Sequence, residues 1–350
     1  MAAKIEDVAR YAGVSTATVS RVFNAKPNVS DDTRSRVRAA IELLGYEGQQ
    51  RLVVDQFCVV GIVVADTDSS VAREIIRMLS STLALSGITV VTTHFDGTVR
   101  SERRALELLA ERRASAVVVL NAAGAPDDED PQRYSALQSN GTPVVVIGGD
   151  AAVAGVVSVR WDDAATIRSA VACLIGNGHR SLGFIARDDE WMSVHRKIDA
   201  FEDLHKARPP AARVERVGGR PDETELAVQR LLPLGVTGII CETEWIASAA
   251  LRAIRRARLR VPQDISVISC EDSRMLAALD PPVTALRQSV DHLSRAVALE
   301  LVQRLTGHGS RAHDLMFGSE LIMRGSVESV HLSSLALPRA GVGESNALGR

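Results

Sequence analysis

Aromatic residues make up only 3% of the 350-residue chain, and several features that would assign a compartment or a metal site directly are missing. No basic start precedes an apolar segment, and no apolar run approaches the length of a membrane span. The sequence therefore predicts a cytoplasmic protein with no membrane partner. The four cysteines (Cys58, Cys173, Cys241 and Cys270) are far apart in apolar surroundings, with no histidine at metal-ligand spacing. We expect reduced, buried thiols and no bound metal.

The usual signatures of catalysis are also missing. The chain has no nucleophile elbow Gly-x-Ser-x-Gly, no phosphate-binding Gly-x-x-x-x-Gly-Lys, no dinucleotide-binding Gly-x-Gly-x-x-Gly and no zinc-binding His-Glu-x-x-His. Acidic pairs such as Asp188-Asp189 are adjacent in sequence, and nothing positions a nucleophile against a base. We expect no catalytic residues and no cofactor, and an enzyme acting in a cleft is a remote alternative.

Neither sign of charge is in excess. Lysine and arginine number 41 against 43 acidic residues, which gives a net charge of −2. A chain with this balance has no overall attraction to nucleic acid, so any affinity for DNA must be local. Its length and its 46% hydrophobic content predict two or three folded units with a substantial core.

Residues 5–24 have the pattern of a helix-turn-helix. Gly13 suits the sharp turn between two helices, and Ser15 is a favourable N-cap for the second. On that second helix Val19, Val22 and Phe23 form one apolar face, which leaves small and hydrogen-bonding side chains directed outward. We predict DNA contacts from Ser15, Thr16, Ala17, Thr18, Ser20, Arg21 and Asn24. An ordinary capped surface helix is the alternative.

A third helix is predicted after Pro27, with Ser30 as its cap and Gly45 at its end. At this point the sequence resembles the DNA-binding headpiece of the LacI/GalR (lactose-repressor) family. The resemblance is carried by Ile5-Glu6-Asp7-Val8-Ala9, Ala12-Gly13-Val14-Ser15, Ala17-Thr18-Val19-Ser20-Arg21-Val22 and Leu44-Gly45-Tyr46. It implies a three-helix headpiece over residues 1–46, in which Thr16, Ala17 and Arg21 occupy the positions where the family reads operator bases.

The linker predicted at residues 47–57 departs from the family. Family members follow the headpiece with a Pro-Asn-Ala start and a short hinge helix whose leucine enters the minor groove. This chain has a shorter segment that contains Gly48, which disfavours a short helix. Leu52 is the only credible equivalent of that leucine, and a plain flexible linker is the alternative.

From residue 58 onward, short β-branched runs alternate with amphipathic helices in two series. The predicted strands are 59–64, 88–92, 116–120 and 144–147, followed by 156–159, 182–185, 214–217, 238–241 and 265–269. This alternation predicts an α/β fold with two doubly wound parallel sheets and therefore two lobes around a cleft. Ligands of such folds bind beyond the carboxyl ends of the strands, and the candidates there are Asp66, Thr243, Glu244, Trp245 and Glu271.

The family resemblance extends over this second part. It is carried by Asn177-Gly178-His179-Arg180, Val261-Pro262-Gln263-Asp264-Ile265-Ser266-Val267 and Pro281-Pro282-Val283-Thr284-Ala285-Leu286-Arg287-Gln288. The resemblance implies a periplasmic-binding-protein-like effector and dimerisation domain over residues 58–330, with Trp191, Arg196 and Lys197 in the effector-contacting segment. Lys197 stands where the family has an arginine. Trp191 and Trp245 are candidate stacking platforms, with core packing as the alternative. Residues 331–350 lack any period and are predicted to be a disordered tail.

The function that these resemblances imply is that of a homodimeric transcription regulator, expected to act as a repressor. Its partner would be double-stranded, near-palindromic operator DNA, because twofold protein symmetry is mirrored in the site that it binds. A sugar or nucleoside-like molecule in the cleft would modulate the affinity for DNA. The alternative is a DNA-binding regulator without a metabolite, whose C-terminal body serves dimerisation or docking of a partner protein.

Overall fold

The computed structural model describes residues 5–23, 29–44, 58–65, 69–122, 133–149, 156–189, 191–206, 212–218, 220–307 and 314–330. Within these residues a three-helix unit is followed by two α/β lobes. The predicted linker 47–57, the predicted tail 331–350 and the candidate residues Asn24, Leu52 and Asp66 lie outside the described residues. No helix in the described part has both the length and the apolar character that crossing a membrane requires.

The three-helix unit consists of α1 (Ile5–Ala12), α2 (Thr16–Phe23) and α3 (Asp31–Leu44). Its small core is aliphatic and includes the fully buried Val8, Val19 and Val37. Gly13 has a φ of +64° between α1 and α2, which confirms the predicted turn. The Oγ atom of Ser15 accepts a hydrogen bond from the Thr18 amide at 3.1 Å. Ser30 caps α3 in the same way, so both predicted helix starts are confirmed.

The lobes are built from alternating strands and helices. The strands are β1 (Val59–Ala65), β2 (Thr89–Phe95), β3 (Ala116–Leu120), β4 (Val144–Ile147), β5 (Val157–Trp161), β6 (Leu182–Arg187), β7 (Ala212–Val217), β8 (Gly238–Cys241), β9 (Ser266–Ser269), β10 (Thr284–Gln288), β11 (Asp314–Phe317) and β12 (Ser319–Ile322). The helices are α4 (Ser70–Ala84), α5 (Val99–Glu111), α6 (Ser135–Ser139), α7 (Asp163–Gly176), α8 (Met192–Lys206), α9 (Pro221–Leu231), α10 (Glu244–Arg256), α11 (Arg274–Ala278) and α12 (Val290–Leu305).

The first lobe is a parallel sheet in the order β11-β5-β4-β3-β1-β2. Every residue of β3 and β4 is buried, because helices cover both faces of the sheet. The apolar sides of α4 and α12 pack on one of these faces, where Leu79, Leu83 and Leu301 are fully buried. The parallel sheet predicted for this lobe is therefore confirmed.

The second lobe has the strand order β12-β10-β9-β8-β6-β7. The predicted parallel sheet is confirmed for β10, β9, β8, β6 and β7, and β12 departs from it, since β12 runs antiparallel to β10. The connectivity explains the difference. After β10 the chain enters the first lobe to form α12 and β11, and it returns through the single residue Gly318. The chain leaves the end of β10 toward the first lobe, and it comes back from that lobe to start β12. The strand β12 must therefore run in the opposite direction to β10.

The described chain passes between the lobes at three places, all of them short. These connections are Asp162 between β5 and α7, Ser289 between β10 and α12, and Gly318 between β11 and β12. The hydroxyl groups of Thr166 and Ser319 lie 2.9 Å apart and so tie two of the connections together. Short connections of this kind allow the lobes to rotate relative to each other while each core stays intact.

Candidate functional site

A cleft of about 970 Å³ lies between the two lobes at the carboxyl ends of their strands. The first lobe contributes Ser69, which precedes α4, and the loop before α5. The second lobe contributes the ends of β6, β8 and β9 together with the first turns of α9 and α10. The lining residues are Ser69, Asp96, Gly97, Thr98, Val99, Arg187, Asp189, Trp191, Pro221, Thr224, Thr243, Trp245, Ile246, Ala249, Arg252 and Glu271. We call this space the outer cleft.

Two tryptophans line the outer cleft in different ways. Trp245, in the first turn of α10, is 50% exposed, whereas Trp191 is 8% exposed. The guanidinium group of Arg187 lies over the Trp191 ring, 4.1 Å from its centroid, so a cation already occupies one face of that ring. Trp245 is therefore the more exposed of the two tryptophans that line the outer cleft.

A buried network of charges forms the floor of the cleft. Glu242 is fully buried, and its carboxylate accepts hydrogen bonds from Arg187 Nε at 2.8 Å and from Lys197 Nζ at 3.1 Å. Burial alone would raise the pKa of Glu242, but the positive charges of Arg187 and Lys197 outweigh burial and hold the pKa at about 2. Burial would likewise lower the pKa of Lys197, and Glu242 and Asp163 raise it instead.

The same network reaches the first lobe. The carboxylate of Asp163, just beyond one inter-lobe connection, accepts hydrogen bonds from Ser193 Oγ at 2.8 Å and from Arg196 Nε at 2.9 Å. The Nη2 atom of Arg196 also donates to the carbonyl oxygen of Gly148, at the end of β4, over 3.0 Å. Arg196 thus joins the cleft floor to the sheet of the first lobe.

The space beside this network is small, and we call it the inner chamber. Its volume is about 40 Å³, which is room for about three water molecules. Trp161, Asp163, Arg196 and Lys197 line the inner chamber only. Four other residues, which mark the boundary between the two spaces, line both of them: Ser69, Arg187, Trp191 and Glu271.

Two further acids lie at the junction of the lobes. Glu244, in the first turn of α10, is 2% exposed, and its Oε1 atom accepts a hydrogen bond from the Ser70 amide of the first lobe at 3.3 Å. The Oε2 atom of Glu271 accepts from the amide of Glu244 at 3.4 Å. Burial and, to a smaller extent, the nearby negative charge of Glu242 together raise the pKa of Glu271 to about 7.

The structure brings four of the predicted effector residues together in the outer cleft, namely Trp191, Thr243, Trp245 and Glu271. Arg196 and Lys197 lie on the inner chamber instead, bonded to the acids of the network. Glu244 lines neither space and joins the lobes. Sequence reasoning missed Arg187, because the predicted strand 182–185 ends two residues before β6 does. It also missed the loop at 96–99, because no sequence pattern marks that loop as part of the cleft.

The second helix of the headpiece exposes three of the side chains that were predicted to meet DNA. Thr16, Ala17 and Arg21 are exposed, and Thr18 is half-buried. The hydroxyl groups of Ser15 and Thr18 lie 2.9 Å apart, and Ser15 also caps the helix. The side chain of Ser20 lies outside the described part of the chain. An exposed row on α2 therefore consists of Thr16, Ala17 and Arg21.

Comparison with known proteins assigns both parts of the chain. Residues 4–49 match the bacterial regulatory proteins of the lacI family, and residues 171–327 match the periplasmic binding protein-like domain. An uncharacterized HTH-type transcriptional regulator in the aml 5′ region of Streptomyces limosus is 32% identical over 338 residues, which cover 92% of this chain and 94% of that protein. The chain belongs to the LacI family. This LacI-family protein is a DNA-binding transcription regulator, and members of the family are regulators rather than enzymes.

Two solved structures are similar over nearly the whole chain. A lac repressor dimer, solved bound to operator and the anti-inducer ONPF, has a TM-score of 0.70 and 22% identity, with 94% of this chain and 100% of that chain covered. The transcriptional regulator CelR, in complex with cellobiose, has a TM-score of 0.67 and 25% identity, with 93% and 99% covered. Both likenesses agree with the headpiece and the two-lobed fold expected of a LacI-family chain.

Proposed function

We propose that this regulator is a homodimeric repressor of near-palindromic operator DNA whose affinity for DNA is modulated by an uncharged, polyhydroxylated small molecule in the outer cleft. The observation that carries the proposal is the lining of that cleft. A half-exposed tryptophan, hydroxyl groups and charged planar side chains from both lobes surround a space of about 970 Å³. Such a combination suits a ligand with apolar ring faces and hydroxyl edges, as sugars and nucleosides have.

The charges of the lining favour an uncharged ligand. Three acids (Asp96, Asp189 and Glu271) face two arginines (Arg187 and Arg252), so positive charge is not in excess. A phosphorylated or carboxylated ligand would lose its hydration without a surplus of cations to replace it. Carboxylates and guanidinium groups can bind adjacent hydroxyl groups in pairs. The cellobiose complex of the similar regulator CelR supports this class of ligand.

The connectivity of the chain explains how ligand binding would change the affinity for DNA. A ligand that contacts Ser69 in the first lobe and Trp245 in the second stabilises one angle between the lobes. Contacts that span the lobes, such as Arg196 to Gly148 and Glu244 to Ser70, hold the lobes at the angle described here, so a ligand that favours another angle has to break or lengthen them. The first lobe begins at β1, directly after the linker to the headpiece, so rotation of paired first lobes changes the spacing of the two α2 helices.

The test combines DNA selection with ligand titration. The full-length protein is used to select bound fragments from random DNA, and the recovered operator is then titrated in the presence of neutral sugars and nucleosides. We expect a twofold-symmetric consensus and a change in operator affinity with at least one of these compounds, matched by a change in tryptophan fluorescence. Linkage requires that the same compound binds the operator complex with an affinity changed by the same factor.

Two results would contradict the proposal. A consensus without twofold symmetry would remove the paired-headpiece arrangement. An operator affinity unchanged by every sugar and nucleoside would favour a body that serves dimerisation or docking of a partner protein.

A further inference from the structure

We propose that the first lobe has a DNA-contacting surface of its own, in which Arg112 and Arg113 bind backbone phosphates whatever the base sequence. This surface lies at the end of the lobe opposite the cleft, where α5 ends and β1 begins. The inference rests on the proposed function, because it requires a regulator that its headpiece already holds on an operator. Two observations carry it, which are the position of this end of the lobe and its charge.

The two arginines lie at the end of the first lobe where the chain arrives from the headpiece. The strands of this lobe are parallel and the outer cleft lies at their carboxyl ends, so their amino ends form the opposite end of the lobe. The chain enters there at Val59, the first residue of β1. The amide of Ser115 donates to the Val59 carbonyl oxygen at 2.8 Å, and the Val59 amide donates to Ser115 Oγ at 3.2 Å. Arg113 is thus two residues from a direct contact with the start of the lobe.

DNA held by the headpiece adjoins this end of the lobe rather than the cleft. The second lobe lies on the other side of the cleft and is therefore the part of the body farthest from the headpiece. A dimer with two headpieces on one duplex directs two such ends toward the same DNA. Phosphates follow one another along the whole duplex, so a cation at this end meets a phosphate at any base sequence.

The charges at this end leave the arginines without acidic partners. Glu111, at the end of α5, lies 3.9 Å from Arg104, and Asp314, at the start of β11, lies 2.8 Å from Arg160. The side chains of the two proposed phosphate-binding arginines are exposed, and they form no hydrogen bond or ion pair within the part of the chain that the structure describes. Two positive charges are therefore available to a partner at the end that adjoins the DNA.

The headpiece alone carries little positive charge. Residues 1–45 contain seven basic and five acidic residues, and the whole chain has a net charge of −2. Each phosphate that a protein neutralises increases its affinity for DNA, because a condensed counterion is released. Arginine suits this contact, since its guanidinium group is always charged and can bind two phosphate oxygens at once. Two arginines in each protomer give a dimer four further cations for the DNA backbone.

The backbone conformation of Arg113 allows a direct test with a matched control. Arg113 follows α5 with a φ of +54°, in the left-handed region that favours glycine, and its amide donates to the Ala110 carbonyl oxygen at 3.0 Å. Arg258 follows α10 in the same way, with a φ of +62° and its amide 3.0 Å from the Arg255 carbonyl oxygen. Arg258 is also exposed, but it lies at the end of the second lobe that points away from the cleft and the headpiece.

The experiment compares Arg113→Gly with Arg258→Gly in the full-length protein. Fluorescence anisotropy at several salt concentrations gives the affinity for the selected operator and for an unrelated duplex of the same length. We expect Arg113→Gly to weaken binding to both duplexes by the same factor, about five- to tenfold at physiological salt. The slope of log affinity against log salt should decrease by about 1 to 2, since each lost phosphate contact lowers it by about 0.9. Arg258→Gly should leave the affinity and the slope unchanged.

Two further measurements separate a phosphate contact from a structural role. Glycine preserves the turn at either position, so neither variant should melt at a lower temperature than wild type when unfolding is followed by circular dichroism. Arg113→Lys keeps the charge and should retain most of the affinity for DNA. Selection from random DNA with Arg113→Gly should return the wild-type consensus, because phosphate contacts carry no base information.

The outcomes separate this inference from the function on which it rests. An operator affinity and a salt slope that are unchanged in Arg113→Gly would overturn the inference and leave the headpiece as the DNA-binding unit. Equal losses in Arg113→Gly and Arg258→Gly would overturn it as well, because they would show an effect of net charge alone. A wild-type protein that selects no consensus from random DNA would overturn the proposed repressor function itself.

Discussion

At the scale of single residues, Glu242 determines how the cleft floor is held together. Its carboxylate pairs with Arg187 and Lys197 while fully buried, so its removal leaves two cations without their shared partner. Breaking a buried pair from one side usually costs about 3–5 kcal/mol, whereas replacing both partners by apolar residues is often nearly neutral. We therefore expect Glu242→Leu to lower the free energy of unfolding by a value in that range.

Urea unfolding of the full-length protein, followed by tryptophan fluorescence, measures this loss. Adding Lys197→Met to Glu242→Leu should restore part of the stability, because it removes the buried cation that lost Glu242, while Arg187 keeps its ion pair with Asp189 at 3.4 Å. Asp222→Asn removes an acid from an exposed ion pair with Arg220 and should leave the unfolding midpoint unchanged. A double variant less stable than Glu242→Leu alone would contradict this account of the pair.

Glu271 gives the second prediction at this scale, a dependence of stability on pH. Burial and the charge of Glu242 raise the pKa of Glu271 to about 7, while the same group in the unfolded chain has a pKa near 4.5. Between these values the folded protein binds a proton that the unfolded chain releases, so the contribution of Glu271 to stability decreases as pH rises from 4.5 to 7. Above pH 7 that contribution levels off at its lowest value.

The melting temperature of wild type and Glu271→Gln, measured from pH 5 to pH 8, tests this sign. Glutamine stays neutral, so the variant should gain on the wild type as pH rises and the difference should level off above pH 7. The charged groups that act on Glu271 (Glu242, Arg187, Lys197 and Glu244) are the same in both proteins. A difference that is constant with pH would show that Glu271 titrates normally.

Residue roles were only partly predictable from the sequence. Lys197, four residues before Phe201, could be recognised as the cation of the effector segment, and its position on α8 agrees with that. Its pairing with Glu242 could not be predicted, because 45 residues separate the two along the chain and the contact exists only after β6, β8 and α8 have packed together. The chemical type of a side chain can be read from the sequence. Its interaction partners depend on which other residues the fold brings next to it.

At the scale of elements, two neighbouring residues at the start of α2 have different roles. Ser15 stabilises the helix as its cap, whereas Thr16 is predicted to contact DNA. Ser15 caps α2 through the Thr18 amide, and loss of such a cap costs about 1 kcal/mol. Thr16 is exposed. We expect Ser15→Ala to weaken binding to all DNA sequences alike by destabilising the headpiece, and Ser15→Asn to retain most of the binding because asparagine is also a good cap.

Thr16→Ala should act differently, since a base-reading side chain changes which sequence is preferred. Selection from random DNA with each variant distinguishes the two effects. We expect the consensus of Ser15→Ala to match that of wild type, and the consensus of Thr16→Ala to change at one symmetric pair of positions. An unchanged consensus for Thr16→Ala would remove Thr16 from the residues that read bases.

Most elements could be predicted, and the exceptions have a physical reason. The central strands of the first lobe, β1, β3 and β4, are continuous apolar runs, a pattern that predicts strands buried on both faces of the sheet. The direction of β12 was not predictable, because its residues Ser319–Ile322 are only partly buried or exposed and the direction depends on the chain having first entered the other lobe. The direction of such a strand is determined by the connections that precede it and cannot be read from the residues of the strand itself.

At the scale of the whole molecule, the sequence predicted two lobes around a cleft but not the contacts that hold them at one angle. One such contact is the hydrogen bond from the Ser70 amide, in the first turn of α4, to Glu244 in the first turn of α10. A carboxylate there is favoured by the positive ends of both helices. Removal of this acceptor weakens the lobe arrangement described here and leaves each lobe core unchanged.

We therefore expect Glu244→Ala to shift the ligand-free protein toward a more open angle, visible as a larger radius of gyration in small-angle X-ray scattering. The apparent ligand affinity should fall by the factor by which the binding-competent population falls. Glu244→Gln keeps an oxygen acceptor and should stay close to wild type in both measurements. Glu107→Ala, which removes an exposed acid from α5 of the first lobe, is the control for a change in charge alone. An affinity that falls equally in Glu244→Ala and Glu244→Gln, with an unchanged radius of gyration, would mean that the negative charge itself contacts the ligand and that the lobe angle is set elsewhere.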